Sequence, residues 1–239
     1  MSGHSKWSTI KHKKAKEDAK RGQVFTKLIR EITVAAKESG GDPAGNARLR
    51  VVLEKAKAAN MPQDNITRAI KKGTGELEGV SYESANYEGY GPHGVAVIVE
   101  TLSDNKQRTV ADLRHMFSRL GGNLGESGTV SWMFEHKGVI KMDSKGMSED
   151  DLLEKMLEYD VEDVQVHEGL ASIYCDPKNL YVVKKGVESL GFKVEDACLE
   201  WVAKTSVSLD KEEDEEKVYK FLESLEELDD VQHVYVNLA

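Results

Sequence analysis

The sequence predicts an α+β protein: an N-terminal three-helix bundle carrying a basic arm, then two α/β (ferredoxin-like) domains, one inserted in the other. Three observations lead there. Residues 22–75 show apolar side chains at helical spacing. From about residue 80 the apolar period shortens to that of strands. Residues 138–203 complete a β-α-β-β-α-β pattern, yet a helix and a strand still follow, so they must return to an earlier sheet.

The arm, residues 1–21, reads MSGHSKWSTIKHKKAKEDAKR. Lys6, Lys11, Lys13, Lys14, Lys16, Lys20 and Arg21 stand against only Glu17 and Asp18. Trp7 and Ile10 are its only large apolar residues, too few to pay for folding alone. Such an arm suits a phosphate backbone, with Trp7 free to stack on a base and His12 among the cations. A solvated, disordered terminus is the plainer reading of the same composition.

The bundle follows at 22–75. Its first helix, roughly 23–38, turns Phe25, Leu28, Ile29, Ile32, Ala35 and Ala36 inward and leaves Lys27, Arg30 and Lys37 off that stripe. The second, about 44–59, buries Leu49, Val52, Leu53 and Ala56 and shows Arg48 and Arg50. The third, about 63–72, offers Ile66, Ala69 and Ile70 and is expected to stop at Gly73 in the left-handed conformation. Lys27, Arg30, Arg48 and Arg50 join the arm as candidate nucleic-acid contacts. No helix start carries an isolated base-reading set of Arg, Asn or Gln, so backbone binding is better supported than base readout.

A discontinuous α+β domain is expected at 78–135 plus 205–239, with strands at 84–90 and 95–102 around the turn Gly91–Gly94. Next come a helix at 107–120 and a short strand at 130–134. The inserted ferredoxin-like domain takes residues 136–204. The helix at 211–227 opens with DKEEDEE, acids that favour the positive end of its dipole.

The net charge of −9 hides a division. Residues 1–75 hold 17 Lys and Arg against 7 Asp and Glu, and the remainder holds 16 against 35. One end is therefore drawn to nucleic acid while the other is repelled by the same phosphates. No apolar run reaches the roughly 18 residues of a membrane span, and no apolar stretch marks a secretory signal. A cytoplasmic monomer with no cofactor, no metal and no membrane contact is expected.

Few motifs suggest catalysis. GGNLGESG (121–128) lies between helix and strand, the reverse of a P-loop, and reads as turn chemistry, though its backbone NH groups could lie near a ligand. The seven histidines have neither metal nor triad spacing. Ser103-Asp104-Asn105 admits two readings, a helix cap or, with Arg108 and Arg114, a secondary contact. Cys175 and Cys198 fall on strands expected to be separated by a third, as core thiols too far apart to bridge. An enzyme is not expected.

The stretches GHSKWSTIKHKKAKEDAKRGQVFTKLIREI, GNARLRVVLEKAKAANMPQDNITRAIKKGTGE (45–76) and YEGYGPHGVAVIVETLSDNKQRTVADLRHMFSRLGGNLGESGTVSWMF (87–134) resemble the YebC/PmpR family. Gln107 departs from the asparagine the family favours there. The resemblance implies the same three-domain plan and a regulator of gene expression. Family members have been described as DNA-binding transcriptional regulators and as translation factors on the ribosome, so the implied partner is DNA, or ribosomal RNA, tRNA and the ribosome. A protein–protein adaptor working through the acidic domains is the remaining class.

Overall fold

The computed structural model describes residues 21–238. Lys6, Trp7, Lys11, His12, Lys13, Lys14, Lys16 and Lys20 lie outside the described residues, as does the side chain of Arg21.

Three helices open it: α1 (Arg21–Ser39), α2 (Ala47–Ala58) and α3 (Gln63–Thr74). Helix α1 is the spine on which the other two lie, around a core of Leu28, Ile32, Leu49, Val52, Ile66 and Ala69. Asn46 caps α2, accepting the Leu49 amide at 2.9 Å, while its own amide donates to the carbonyls of Ala35 and Gly40. One side chain thus satisfies a helix start and the end of the preceding helix.

The stop expected at Gly73 falls two residues later. Gly75 takes the left-handed conformation (φ 82°), and Gly73 remains inside α3. A β-carbon on Gly73 would lie 2.4 Å from the Thr33 carbonyl oxygen, so this glycine serves the close crossing of α1 and α3. A glycine at a helix contact and one at a helix end look alike in sequence.

The middle unit pairs β1 (Glu83–Tyr90), β2 (Ala96–Ser103) and β3 (Asn123–Leu124) with the late strand β8 (Val231–Val236), in the order β3-β1-β2-β8. Helices α4 (Lys106–Arg119) and α7 (Glu212–Glu226) cover one face through Leu113, Phe117, Val218, Phe221 and Leu222. Phe117 and Phe221 meet edge to face at 4.9 Å. The strand expected at 130–134 is instead a 3₁₀ turn at Ser131–Met133. Its leading amides are taken by the Glu88 carboxylate rather than by a neighbouring strand.

Between β3 and α7 lies a second antiparallel sheet. It comprises β4 (Phe134–Asp143), β5 (Val161–His167), β6 (Leu170–Cys175) and β7 (Val194–Ala203), backed by α5 (Glu149–Lys155) and α6 (Leu180–Ser189). The order β5-β6-β4-β7 is that of the split β-α-β unit. Cys175 and Cys198 are free, on strands flanking β4. Only Cys175 is a core thiol. It packs beneath the helices with Ile140, Met142 and Ile173, whereas Cys198 faces the opposite, polar side of β7 and is half-buried. Strand alternation decides the face, and Leu199, exposed, took the apolar turn of the alternation without gaining cover. Among the described residues no helix is long and apolar enough to cross a membrane.

Candidate nucleic-acid interface

Helix α1 places two of the expected contacts against the middle unit instead of solvent. The Lys27 ammonium donates to the Glu226 carbonyl at 2.8 Å. Arg30 is buried, ion-paired with Asp230 at 2.8 Å and hydrogen-bonded to the carbonyls of Leu102 and Asp229. Its guanidinium also sits 5.5 Å from the Tyr82 ring centroid. Its charge is answered by Asp230 and by backbone carbonyls, so little of it is left for a phosphate. Arg30 is an anchor between the bundle and the middle unit, and the sequence missed this because Asp230 lies 200 residues away.

Helix α2 behaves as expected for Arg48 and Arg50, both of which are exposed. Arg48 pairs with exposed Glu38 at 2.6 Å, a contact that water and salt largely screen. Arg50 donates only to the carbonyls of Pro43 and Ala44, which orient it without cancelling its charge. Lys57 on the same helix, and Arg68, Lys71 and Lys72 on α3, are exposed and pair with no carboxylate among the described residues. The sequence expectation omitted these four. Lys71 and Lys72 sit in the last turn of α3, at the negative end of its dipole, with both charges facing water.

The secondary contacts divide in the same way. Asn105 is the cap of α4, accepting the Arg108 amide at 3.1 Å. Arg108 bridges Asp104 at 2.7 Å and Asp230 at 3.0 Å, closing over the pair that holds Arg30. Arg114 is exposed on the outer side of α4. Asp230 is the hub. Burial pushes its carboxyl up, but hydrogen bonds from Thr109, Arg108 and Ser103 and the charge of Arg30 outweigh this and hold it below the usual range.

The glycine-rich loop offers no anion cradle. Glu88 accepts the amides of Gly128, Val130 and Ser131 at 2.8–2.9 Å, and the Gly125 amide donates to the Glu88 carbonyl. The protein has supplied its own carboxylate where a ligand anion would have bound.

A third cluster lies where the three units meet. Asp196, Cys198 and Glu200 project from one face of β7 with ligand atoms within 4.8 Å of one another. Lys141 stands 2.6 Å from Glu200, and Lys55 of α2 stands 3.5 Å from Asp196. These ammoniums supply the positive charge such a trio demands, and the thiol proton points to the Glu200 carboxylate at 3.2 Å. Burial, then Glu200 and Asp196, hold the Cys198 thiol far above its ordinary range. Nearby, Glu100 accepts from Trp201 and from Tyr235, each at 3.1 Å.

Two family models match successive parts of the chain. The TACO1/YebC protein N-terminal domain model matches residues 5–76, and the TACO1/YebC second and third domain model matches residues 82–238. A probable transcriptional regulatory protein of Persephonella marina is 56% identical over 99% of this chain and 95% of its own length. One from Chlorobaculum tepidum is 53% identical over all of this chain and 95% of its own. The crystal structure of a conserved hypothetical protein from Aquifex aeolicus superposes with a TM-score of 0.84 at 51% identity, covering 93% of this chain and 91% of that one.

Proposed function

Because the chain belongs to the TACO1/YebC family, and its relatives from Persephonella marina and Chlorobaculum tepidum carry the name probable transcriptional regulatory protein, we propose that it is a non-enzymatic, nucleic-acid-binding regulator of gene expression. It docks at one end, through the arm and the outer faces of α2 and α3. The observation that carries this reading is the set of exposed, uncompensated cations on those helices, Arg50, Lys57, Arg68, Lys71 and Lys72. The acidic remainder of the chain keeps its distance from the same phosphates and remains available to other partners. The proposed setting is the cytoplasm and the proposed active form a monomer.

Two ligands compete within this reading. Transcriptional regulation calls for duplex DNA. Ribosomal RNA is favoured by the helix starts: Asn46 is buried and spent as a cap, and Asp64 sets a carboxylate in the first turn of α3. Exposed Arg48 and Gln63 remain at these starts, but the exposed cations along both helices outnumber them and favour backbone contact. Backbone and shape recognition is natural on structured RNA.

Deleting residues 2–21 tests the proposal directly. With five of the seven arm cations neutralising phosphates, the logarithmic salt slope should fall by about 4.5 on duplex DNA and about 3.5 on single strands. Promoter duplex, random duplex and intact ribosomes are compared at one salt concentration. Promoter preference supports the transcriptional form, and ribosome preference without it supports the translational form. Equal binding of both proteins to all three ligands rejects the arm.

A further inference from the structure

The cleft between α2 and the inserted unit is built differently from the exposed cations of the bundle. It measures about 560 Å³ and runs between α2 on one side and the start of α6 with strand β7 on the other. Val51 and Leu199, 42% and 47% exposed, give it apolar walls that no element among the described residues covers. Tyr181 stands in it 68% exposed, with the Lys185 ammonium 5.5 Å from its ring centroid. A tyrosine with so little packing contributes little to folding. Held by a short helix and flanked by cations, it offers a flat face to something from outside.

The charges around it decide what that is. Arg50 is tied only to backbone carbonyls. Lys178 is exposed and pairs with no carboxylate among the described residues, and Lys184 reaches Glu188 only at 3.9 Å. Asp196 is answered by Lys55, which leaves Glu54 and Glu195 as the acids of the lining. Cations on both walls, apolar surface between them and an open aromatic ring match a strand whose bases are unpaired. Phosphates run along the cations and a base stacks on the ring. A duplex hides its base faces and has no use for the tyrosine or the apolar walls.

We propose that this cleft binds a single-stranded nucleic-acid segment, with Tyr181 as the stacking platform and Arg50, Lys178 and Lys184 as the backbone contacts. The proposal rests on the nucleic-acid reading above and gives it a second, strand-selective contact remote in sequence from the arm. Because one wall belongs to the bundle and the other to the inserted unit, an occupied cleft also ties the two together.

The test uses the full chain and a fluorescent 12-nucleotide oligouridylate, with a 5-iodouridine version for photocrosslinking. Tyr181→Ala should weaken binding by roughly 5- to 150-fold with an unchanged salt slope. The double variant Lys178→Gln/Lys184→Gln should flatten the slope by about 1.4. Neither should alter binding to a duplex of the same length, and both should melt as the parent does, since the three side chains are at the surface. Crosslinks should map to residues 178–185. Parental oligouridylate affinity in both variants, with crosslinks confined to the arm and bundle, overturns the cleft while leaving the regulator reading standing. Absence of binding to any nucleic acid by the parent chain overturns that reading and the cleft with it.

Discussion

Arg30 and Arg50 belong to the same bundle, and both sit off the apolar stripe of their helices, yet they do opposite things. Arg30 is closed in by Asp230, two carbonyls and the Tyr82 ring, and joins two units of the fold. Arg50 is exposed, steered by two carbonyls and electrically open. The junction and the outer face are both crowded with charge. In the junction Arg30 and Asp230 are matched and largely removed from water. On the outer face the charge remains available. A count of cations therefore overstates a binding surface until each has been checked for a partner.

The largest effect that would break this comparison lies at the junction. Asp230→Asn leaves the Arg30 guanidinium buried without its counter-charge and should cost about 3–5 kcal/mol in denaturant unfolding. Replacing Arg30 and Asp230 together with Met and Leu should recover much of that, because no lone charge remains. The same site sets an acid limit. Its carboxyl titrates lower in the folded chain than in the unfolded one, so its contribution is complete above the unfolded value of about 3.9. It is lost as pH falls through the lower folded value. Unfolding followed from pH 5 to pH 2 should show that limb in the parent and lose it in Asp230→Asn. An unchanged acid limb in the variant removes Asp230 as its source.

A smaller loss should come from Gly73→Ala. Its new methyl must displace the α1 backbone at Thr33, a strain of about 1–3 kcal/mol read as a drop in melting temperature. Were Gly73 an uncrowded interior position of α3, alanine would instead be neutral or stabilise by up to about 1 kcal/mol.

On the outer face, stability should hardly move. Arg50→Ala should stay within about 0.5 kcal/mol of the parent while reducing the duplex salt slope by about 0.9. Arg30→Ala should do the reverse, losing stability with little change of slope in the protein that remains folded. Equal slopes for the two variants would erase the distinction drawn between these regions.

The smallest effect is chemical. Burial pushes the Cys175 thiol up to about 11, and burial with two neighbouring carboxylates raises Cys198 as well. Both should ignore a thiol reagent at pH 7 and react together on unfolding. Reaction of Cys198 alone in the native chain would show that its half-exposed position outweighs the suppression of its thiolate.

Local order was written plainly in the sequence. Helical spacing gave α1 to α3, alternation gave the strands of both sheets other than β3, and the excess helix and strand at the end required a return to the first sheet. Those are one-dimensional signals: period, cap and glycine stop act over a few residues. Charge division along the chain was equally legible. What the sequence by itself could not determine was the fate of a particular polar side chain. Whether Arg30 meets a phosphate or Asp230, whether Cys198 faces a core or a trio of charges, and whether the loop amides stay open or take Glu88 all depend on residues far along the chain. Those choices were made by tertiary packing, because a buried charge or amide is stable only where a distant partner satisfies it.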